Sequence, residues 1–180
     1  GGKALWTKEL ERALIDGDID IAVHSMKDVE TVRPHVFAIA AMLPRADVRD
    51  RLIGADSILS LPQNARVGTS SPRRTAQLKA RIAELAVEEE LKAIRPDLVT
   101  TSIRGNVATR LAKVEAGEFD ATLLAAAGLD RLGLDNVGVA ITVEDMLPAA
   151  SQGAIGIDCL SGRPEIIALL AAINDSDTFT

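Results

Sequence analysis

The chain has 180 residues, 47% of them apolar, enough to build one large domain or two small ones. Its formal charge of -6 argues against nonspecific nucleic-acid or anionic-membrane binding, which needs a basic surface. No apolar run approaches the roughly 20 residues that span a bilayer and no signal-peptide pattern opens the chain, so a cytoplasmic protein with no membrane partner is expected.

The first element is an amphipathic helix with Leu5, Leu10 and Leu14 on one side, ended by Gly17, which is free to adopt positive φ. Ile19, Ile21 and Val23 then alternate, predicting a strand over 19–24, and the string HSMKD (His24 to Asp28) stands where it runs out. Strand ends are where α/β proteins keep their chemistry. Residues 36–43 (VFAIAAML) predict a buried strand, and Pro44 to Asp47 a crossover. Pro62 to Asn64 predict a turn and 65–68 a short strand. Ser71 before Pro72 is a helix start, since the serine oxygen can cap free N–H groups and proline at the first helical position loses nothing. That helix is expected to run through Leu78, Ile82 and Leu85 towards Leu91, with Glu88 to Glu90 solvated. A strand over 98–103 leads to Arg104-Gly105-Asn106, where Asn106 can cap a helix over 107–116. Strand 120–126 follows. Near the end come a loop at 148–153, a strand at 154–159, a helix at 165–173, and an aperiodic tail. Gly17-Asp18-Ile19-Asp20-Ile21 and Gly117-Glu118-Phe119-Asp120-Ala121 share glycine, acid, apolar, aspartate, apolar. With similar flanking elements, the match points to two α/β domains of related topology.

Residues 66–110 hold nine Lys or Arg against five Asp or Glu in an acidic chain. The two main clusters are GTSSPRR (Gly68 to Arg74) and SIRGNVATR (Ser102 to Arg110), each joining a strand end to a helix N-terminus. Unpaired N–H groups and the helix dipole favour anions there, and arginine adds a planar fork for carboxylate or phosphate. Neither GxxxxGK[ST] nor GxGxxG occurs, so no nucleotide phosphate loop is supported. Positive charges near Asp28 would keep it ionised, suited to stabilising a cationic intermediate or accepting an N–H proton. Ser25 and His24 are strand neighbours that point to opposite faces, so they form no nucleophilic pair. Cys159, the only cysteine, reads as a structural thiol. With only two histidines, no metal is expected. One Trp, three Phe and no Tyr make no stacking platform for single strands.

HSMKD, GTSSPRR, SIRGNVATRL, AAAGLDRLGL (Ala125 to Leu134) and SQGAIGID (Ser151 to Asp158), in this order, resemble the porphobilinogen deaminase (hydroxymethylbilane synthase) family over essentially the whole chain. The resemblance implies a transferase that condenses four porphobilinogen units, with loss of ammonia, into the linear precursor of haem and chlorophylls. It implies an α/β fold with two domains like type II periplasmic solute-binding proteins, here 1–44 with 153–174, and 45–152, leaving 175–180 as a tail. Carried over by motif, Asp28 is the catalytic carboxylate. Ser25, Lys27, Thr69, Ser71, Arg73 and Arg74 hold the acidic side chains of a dipyrromethane cofactor. Lys3, Trp6, Arg104, Gly105, Asn106, Arg110, Arg131 and Gln152 serve porphobilinogen and its growing oligomers.

The sequence also departs from the family. An amino-terminal strand and helix with an arginine-bearing loop are missing, leaving the first domain incomplete, and so is a third, C-terminal α/β domain whose cysteine carries the cofactor. Trp6 stands where phenylalanine is usual, Glu30 where proline often follows HSMKDV, and Ser151 where glycine is common; 82–93 reads as an extended helix. These gaps predict an inactive isolated chain, monomeric by family but prone to associate through exposed edges. The competing reading is a noncatalytic module of the same fold that binds a small carboxylate.

Overall fold

The computed structural model describes residues 2–78 and 97–179. The chain forms two compact units: Gly1–Asp47 with Ala150–Thr180, and Val48–Ala149.

In the first unit, helix α1 (Gly2–Asp16) leads to strand β1 (Ala22–Ser25), a 3-10 turn (Met26–Asp28) and strand β2 (Phe37–Met42). The chain returns after the second unit as the strand Ile155–Leu160. This last strand, β8 in chain order, lies between β1 and β2 and is antiparallel to both. The register puts Val23, Ile157 and Ala41 on one face, and Ala22, Asp158 and Ile39 on the other. α1 packs on the second face and buries Ala22 and His24 there. On the first face Ile157 and Ala41 are buried with Ile166 and Leu170, of the helix Pro164–Leu170. Val23, at the end of the same row, remains 56% exposed, and Ile21 40%. The apolar alternation therefore marks the more exposed face of β1, while its buried positions are Ala22 and His24.

The carboxyl-terminal stretch is also more ordered than its aperiodic pattern predicts. A short helix, Ser176–Phe179, closes the chain, and its approach is tied to the end of β2: Met42 N–H donates to Asn174 Oδ1 at 2.8 Å and Asp175 N–H to Met42 O at 2.7 Å. Arg45 N–H donates to Thr178 Oγ1, and Ala46 N–H to Gly153 O. These bonds keep 45–47 with the first unit and set its limits at Asp47 and Ala150.

The second unit contains β3 (Asp50–Ile53), β4 (Arg66–Gly68), a helix α2 starting at Pro72, β5 (Val99–Thr101), α3 (Val107–Glu115), β6 (Ala121–Ala125), α4 (Ala126–Asp130) and β7 (Val139–Ala140). α2 is described over 72–78, so the expected extension through 82–93 lies outside the described residues. The sheet order is β5-β4-β6-β3-β7; β4 is parallel to both neighbours, and β3 antiparallel to both of its own. One face packs Leu52, Val67, Ala121 and Leu123 against Leu78 and Met146; the other sets Ile53 and Leu124 against Val107, Leu111 and Val114 of α3. Burial of each such leucine or valine contributes about 1.5–3 kcal/mol. β3 and β7 are short strands in stretches that the sequence pattern leaves unassigned.

Candidate functional site

Each unit collects part of the expected machinery. In the first, a hollow of about 200 Å³ is lined by Trp6, Thr7 and Leu10 from α1 and by Val23, His24, Ser25, Asp28 and Val29 from β1 and the turn after it. The turn is anchored at both ends, with Met26 N–H donating to Ala154 O at 3.1 Å and Val29 N–H to Met26 O at 3.2 Å. A Cβ at Gly156 would run into the Met26 sulfur, which is why glycine stands beneath the turn. Ser25, Lys27 and Asp28 are half-buried. Trp6 is 70% exposed and offers its ring at the hollow's rim. Gln152 is buried rather than open to the surface, and its carbonyl accepts from Arg45 Nε at 3.0 Å. Ser151, before it, has φ of 57°, a left-handed conformation that glycine takes most readily. Lys3 lies on α1, and its side chain is outside the described residues.

The second unit brings GTSSPRR and SIRGN together, because parallel pairing of β4 with β5 ends both strands side by side. Thr69 N–H donates to Thr101 O at 2.8 Å, Ser70 Oγ donates to Ile103 O at 2.6 Å and lies 3.0 Å from Ser102 Oγ. At the start of α2, Thr69 Oγ1 accepts from Ser71 N–H and Ser71 Oγ from Arg74 N–H, at 3.2 and 3.4 Å. Asn106 caps α3 as expected, its Oδ1 accepting from Thr109 N–H at 2.9 Å. Gly105, at φ 113°, bends the chain so that its carbonyl accepts from Arg110 Nε at 2.9 Å. Arg104 is exposed. Arg131, at the end of α4, is also exposed, on a separate element.

Sequence reading missed Asp50. Its side chain is wholly buried at the start of β3 and takes Arg74 through Nε at 3.0 Å and Nη2 at 2.7 Å, and Arg73 through Nη2 at 2.8 Å. Arg74 Nη1 also donates to Leu123 O at 2.9 Å. Burial alone would push the Asp50 carboxyl up, but hydrogen bonds and positive charge from Arg74 and Arg73 override it and hold the carboxyl below its ordinary value. Arg74 is thus largely consumed inside the unit, while Arg73 is more open. Arg110 has its pKa lowered, first by burial and then by the charge of Arg74. Crowding of cations beyond what one carboxylate neutralises makes an anion-seeking surface.

Cys159 is buried, and burial together with the charge of Asp158 pushes its thiol up; a thiol held protonated is a poor nucleophile. A second cavity, of about 250 Å³ and lined by Leu52, Ile58, Val139 and Ile141 among others, includes none of the motif residues. Among the described residues no helix is long and apolar enough to cross a membrane, and no three His, Cys, Asp or Glu are grouped as metal ligands.

Comparison with known proteins gives a consistent picture. Residues 1–168 match the family described as porphobilinogen deaminase, dipyromethane cofactor binding domain. The porphobilinogen deaminase of Sphingopyxis alaskensis is 57% identical over 183 aligned positions, covering 99% of this chain and 54% of the relative. The chain therefore spans about half the length of that curated relative. Among solved structures, a periplasmic substrate-binding protein of an ABC transporter from Coxiella burnetii superposes with a TM-score of 0.53 at 14% identity, covering 93% of this chain and 76% of the other. That likeness shows the fold, an α/β arrangement of the type II solute-binding kind. With the motifs in order on strand ends and helix starts, and with a family match spanning nearly every residue, this chain belongs to the porphobilinogen deaminase family.

Proposed function

We propose that the protein of which this chain forms part is a hydroxymethylbilane synthase, condensing four porphobilinogen units into the linear tetrapyrrole with release of ammonia. The observation that carries this reading is the division of chemistry between the units. One presents the carboxylate Asp28 beside a hollow, and the other presents hydroxyls and crowded guanidinium groups. Each pyrrole brings two carboxylates, so a growing chain calls for many cationic and hydroxyl donors. Asp28 would accept from pyrrole N–H groups and stabilise the positive charge that develops as ammonia leaves.

The donor set fits a dipyrromethane cofactor. Ser25, Lys27, Thr69, Ser71 and Arg73 would hold its acetate and propionate groups, with Arg74 acting mainly by fixing Asp50 and Arg73. When bound, the cofactor supplies the pyrrole primer to which units are added. Arg104, Gly105, Asn106, Arg110 and Arg131 would serve incoming substrate and product, with Trp6 packing at the rim and Lys3 and Gln152 supporting. The protein would work in the cytoplasm as a monomer, without metal, nucleic acid or membrane.

The test is turnover of porphobilinogen by the full-length protein, followed as ammonia and uroporphyrin. Asp28→Asn should lower kcat by about a hundredfold or more, as loss of a charge-stabilising group does. Full activity in Asp28→Asn would overturn the assignment. Tight binding of a small dicarboxylate by Asp28→Ala, without turnover in the wild type, would favour a solute-binding module instead.

A further inference from the structure

The first unit contains a second charged cluster, which takes in His24 of the hollow's lining and is not part of any motif's expected chemistry. Asp158, on β8, has a wholly buried side chain. His24 Nε2 lies 3.1 Å from Asp158 Oδ2, and Arg33 Nη1 contacts the same oxygen. Arg33 Nη2 donates to Glu11 Oε1 of α1 at 3.2 Å, and its Cζ sits 5.4 Å from the centre of the Phe37 ring. Arg33 thus joins three parts of the chain that are remote in sequence: α1, the stretch after the HSMKD turn, and the central strand β8. α1 also packs directly on β1 and on the turn that ends in Asp28.

One wall of the hollow comes from α1; the other, β1 and its turn, is hydrogen-bonded to β8. Trp6, Thr7 and Leu10 ride on α1, whereas Ser25 and Asp28 ride on β1 and its turn. Among the described side chains of α1, Leu14 is the one large apolar group that is buried, and the Glu11–Arg33 tether adds a charged contact to it. The tether is also chemically particular. Asp158 Oδ1 and Oδ2, Arg33 Nε and His24 Nε2 are buried without an aligned hydrogen bond, so the Arg33–Asp158 pair is held by opposite charge at short range. A buried carboxylate in that setting depends on its cation.

We propose that Arg33 is a positioning residue that couples the α1 wall of the hollow to the wall carrying Asp28, by pairing Glu11 on one side and Asp158 on the other. Its catalytic consequence rests on the function proposed above; the mechanical coupling does not. Because the pairing with Asp158 works by charge rather than by aligned hydrogen bonds, a lysine should restore part of it, and an uncharged side chain of similar length should not.

Amide hydrogen exchange on the full-length protein separates this from general destabilisation. In Arg33→Met, which also strips buried Asp158 of its cation, amides of α1 from Trp6 to Asp16 and those of β8 should all exchange about tenfold faster or more. Arg33→Lys should return α1 to within about threefold of wild type. Glu11→Ala leaves Asp158 paired and removes the acceptor of Arg33 Nη2, so it tests the coupling even where Arg33→Met folds poorly; it should accelerate α1 about tenfold, with β8 changed less than about threefold. With porphobilinogen as substrate, Arg33→Met should lower kcat about tenfold with KM within about threefold, and Arg33→Lys should recover a third or more of the rate. Unchanged α1 exchange in Glu11→Ala, or equal acceleration of α1 and β8 in that variant, would overturn the proposal. A wild type that leaves porphobilinogen untouched while α1 still loosens selectively would refute the enzyme reading and uphold the coupling.

Discussion

Replacing Arg74 by methionine tests the cationic loops most directly. The side chain of Asp50 is 0% exposed and that of Arg74 9%, and the two share a bidentate pair at 2.7 and 3.0 Å. Removing one member of such a pair costs about 3–5 kcal/mol, because the remaining charge stays buried. Arg73 still reaches Asp50 at 2.8 Å, which places the expected loss near the lower end, about 3 kcal/mol. With urea m-values of about 1–3 kcal/mol/M, the unfolding midpoint of the second unit should fall by about 1–3 M. Because the two units need not unfold together, the assay is hydrogen exchange of β3 and β6 amides along a urea series. The pH dependence has a fixed sign. The folded Asp50 carboxyl is held below its unfolded value, so its contribution is complete above about pH 4 and is lost as pH falls through the folded value. Arg74→Met keeps the burial and loses the principal cation, so its acid loss should begin at higher pH. A destabilisation below about 1 kcal/mol, or an unchanged acid limb, would refute the argument that Asp50 depends on Arg74.

Two further substitutions probe the loops around the site. Asn106→Ala removes the Oδ1 acceptor for Thr109 N–H and should cost about 1 kcal/mol in thermal or urea unfolding, with a matching rise in exchange at the start of α3. Gly54→Ala should be worse, at about 2 kcal/mol or more, because Gly54 has φ of 100° and a Cβ would collide with the backbone oxygen of Asp120; calorimetry of the purified variant checks it.

Local chemistry was legible in the sequence. Ser71-Pro72, Asn106 and the glycines that end helices each act within a few residues, and the structure places them as helix starts and stops. Long-range partnerships were not. Asp50 meets Arg74 from 24 positions away, and Glu11, Arg33 and Asp158 converge from three separate elements. Nothing in a local pattern distinguishes an arginine reserved for a ligand from one neutralised by a distant carboxylate. Which face of β1 is covered has a similar cause. Alternation shows that a strand has two unlike faces, but which face is covered depends on where α1 packs. The short strands β3 and β7 escape notice because two to four residues cannot display a period.

The placement of β8 bears on how the polypeptide reaches its native state. This strand is the middle of its sheet, yet it emerges last, so β1 and β2 have no central partner until residues 155–160 are available. Joining them directly closes a loop of roughly a hundred residues, an entropic cost of about 4 kcal/mol. The intervening unit, Val48–Ala149, is continuous and can fold first during synthesis. The chain entering and leaving it runs side by side, Ala46 bonded to Gly153 and Arg45 to Gln152. Once folded, that unit acts as a splint that converts a long closure into a short one, so lesions such as Arg74→Met should slow the maturation of a sheet to which they contribute no atom.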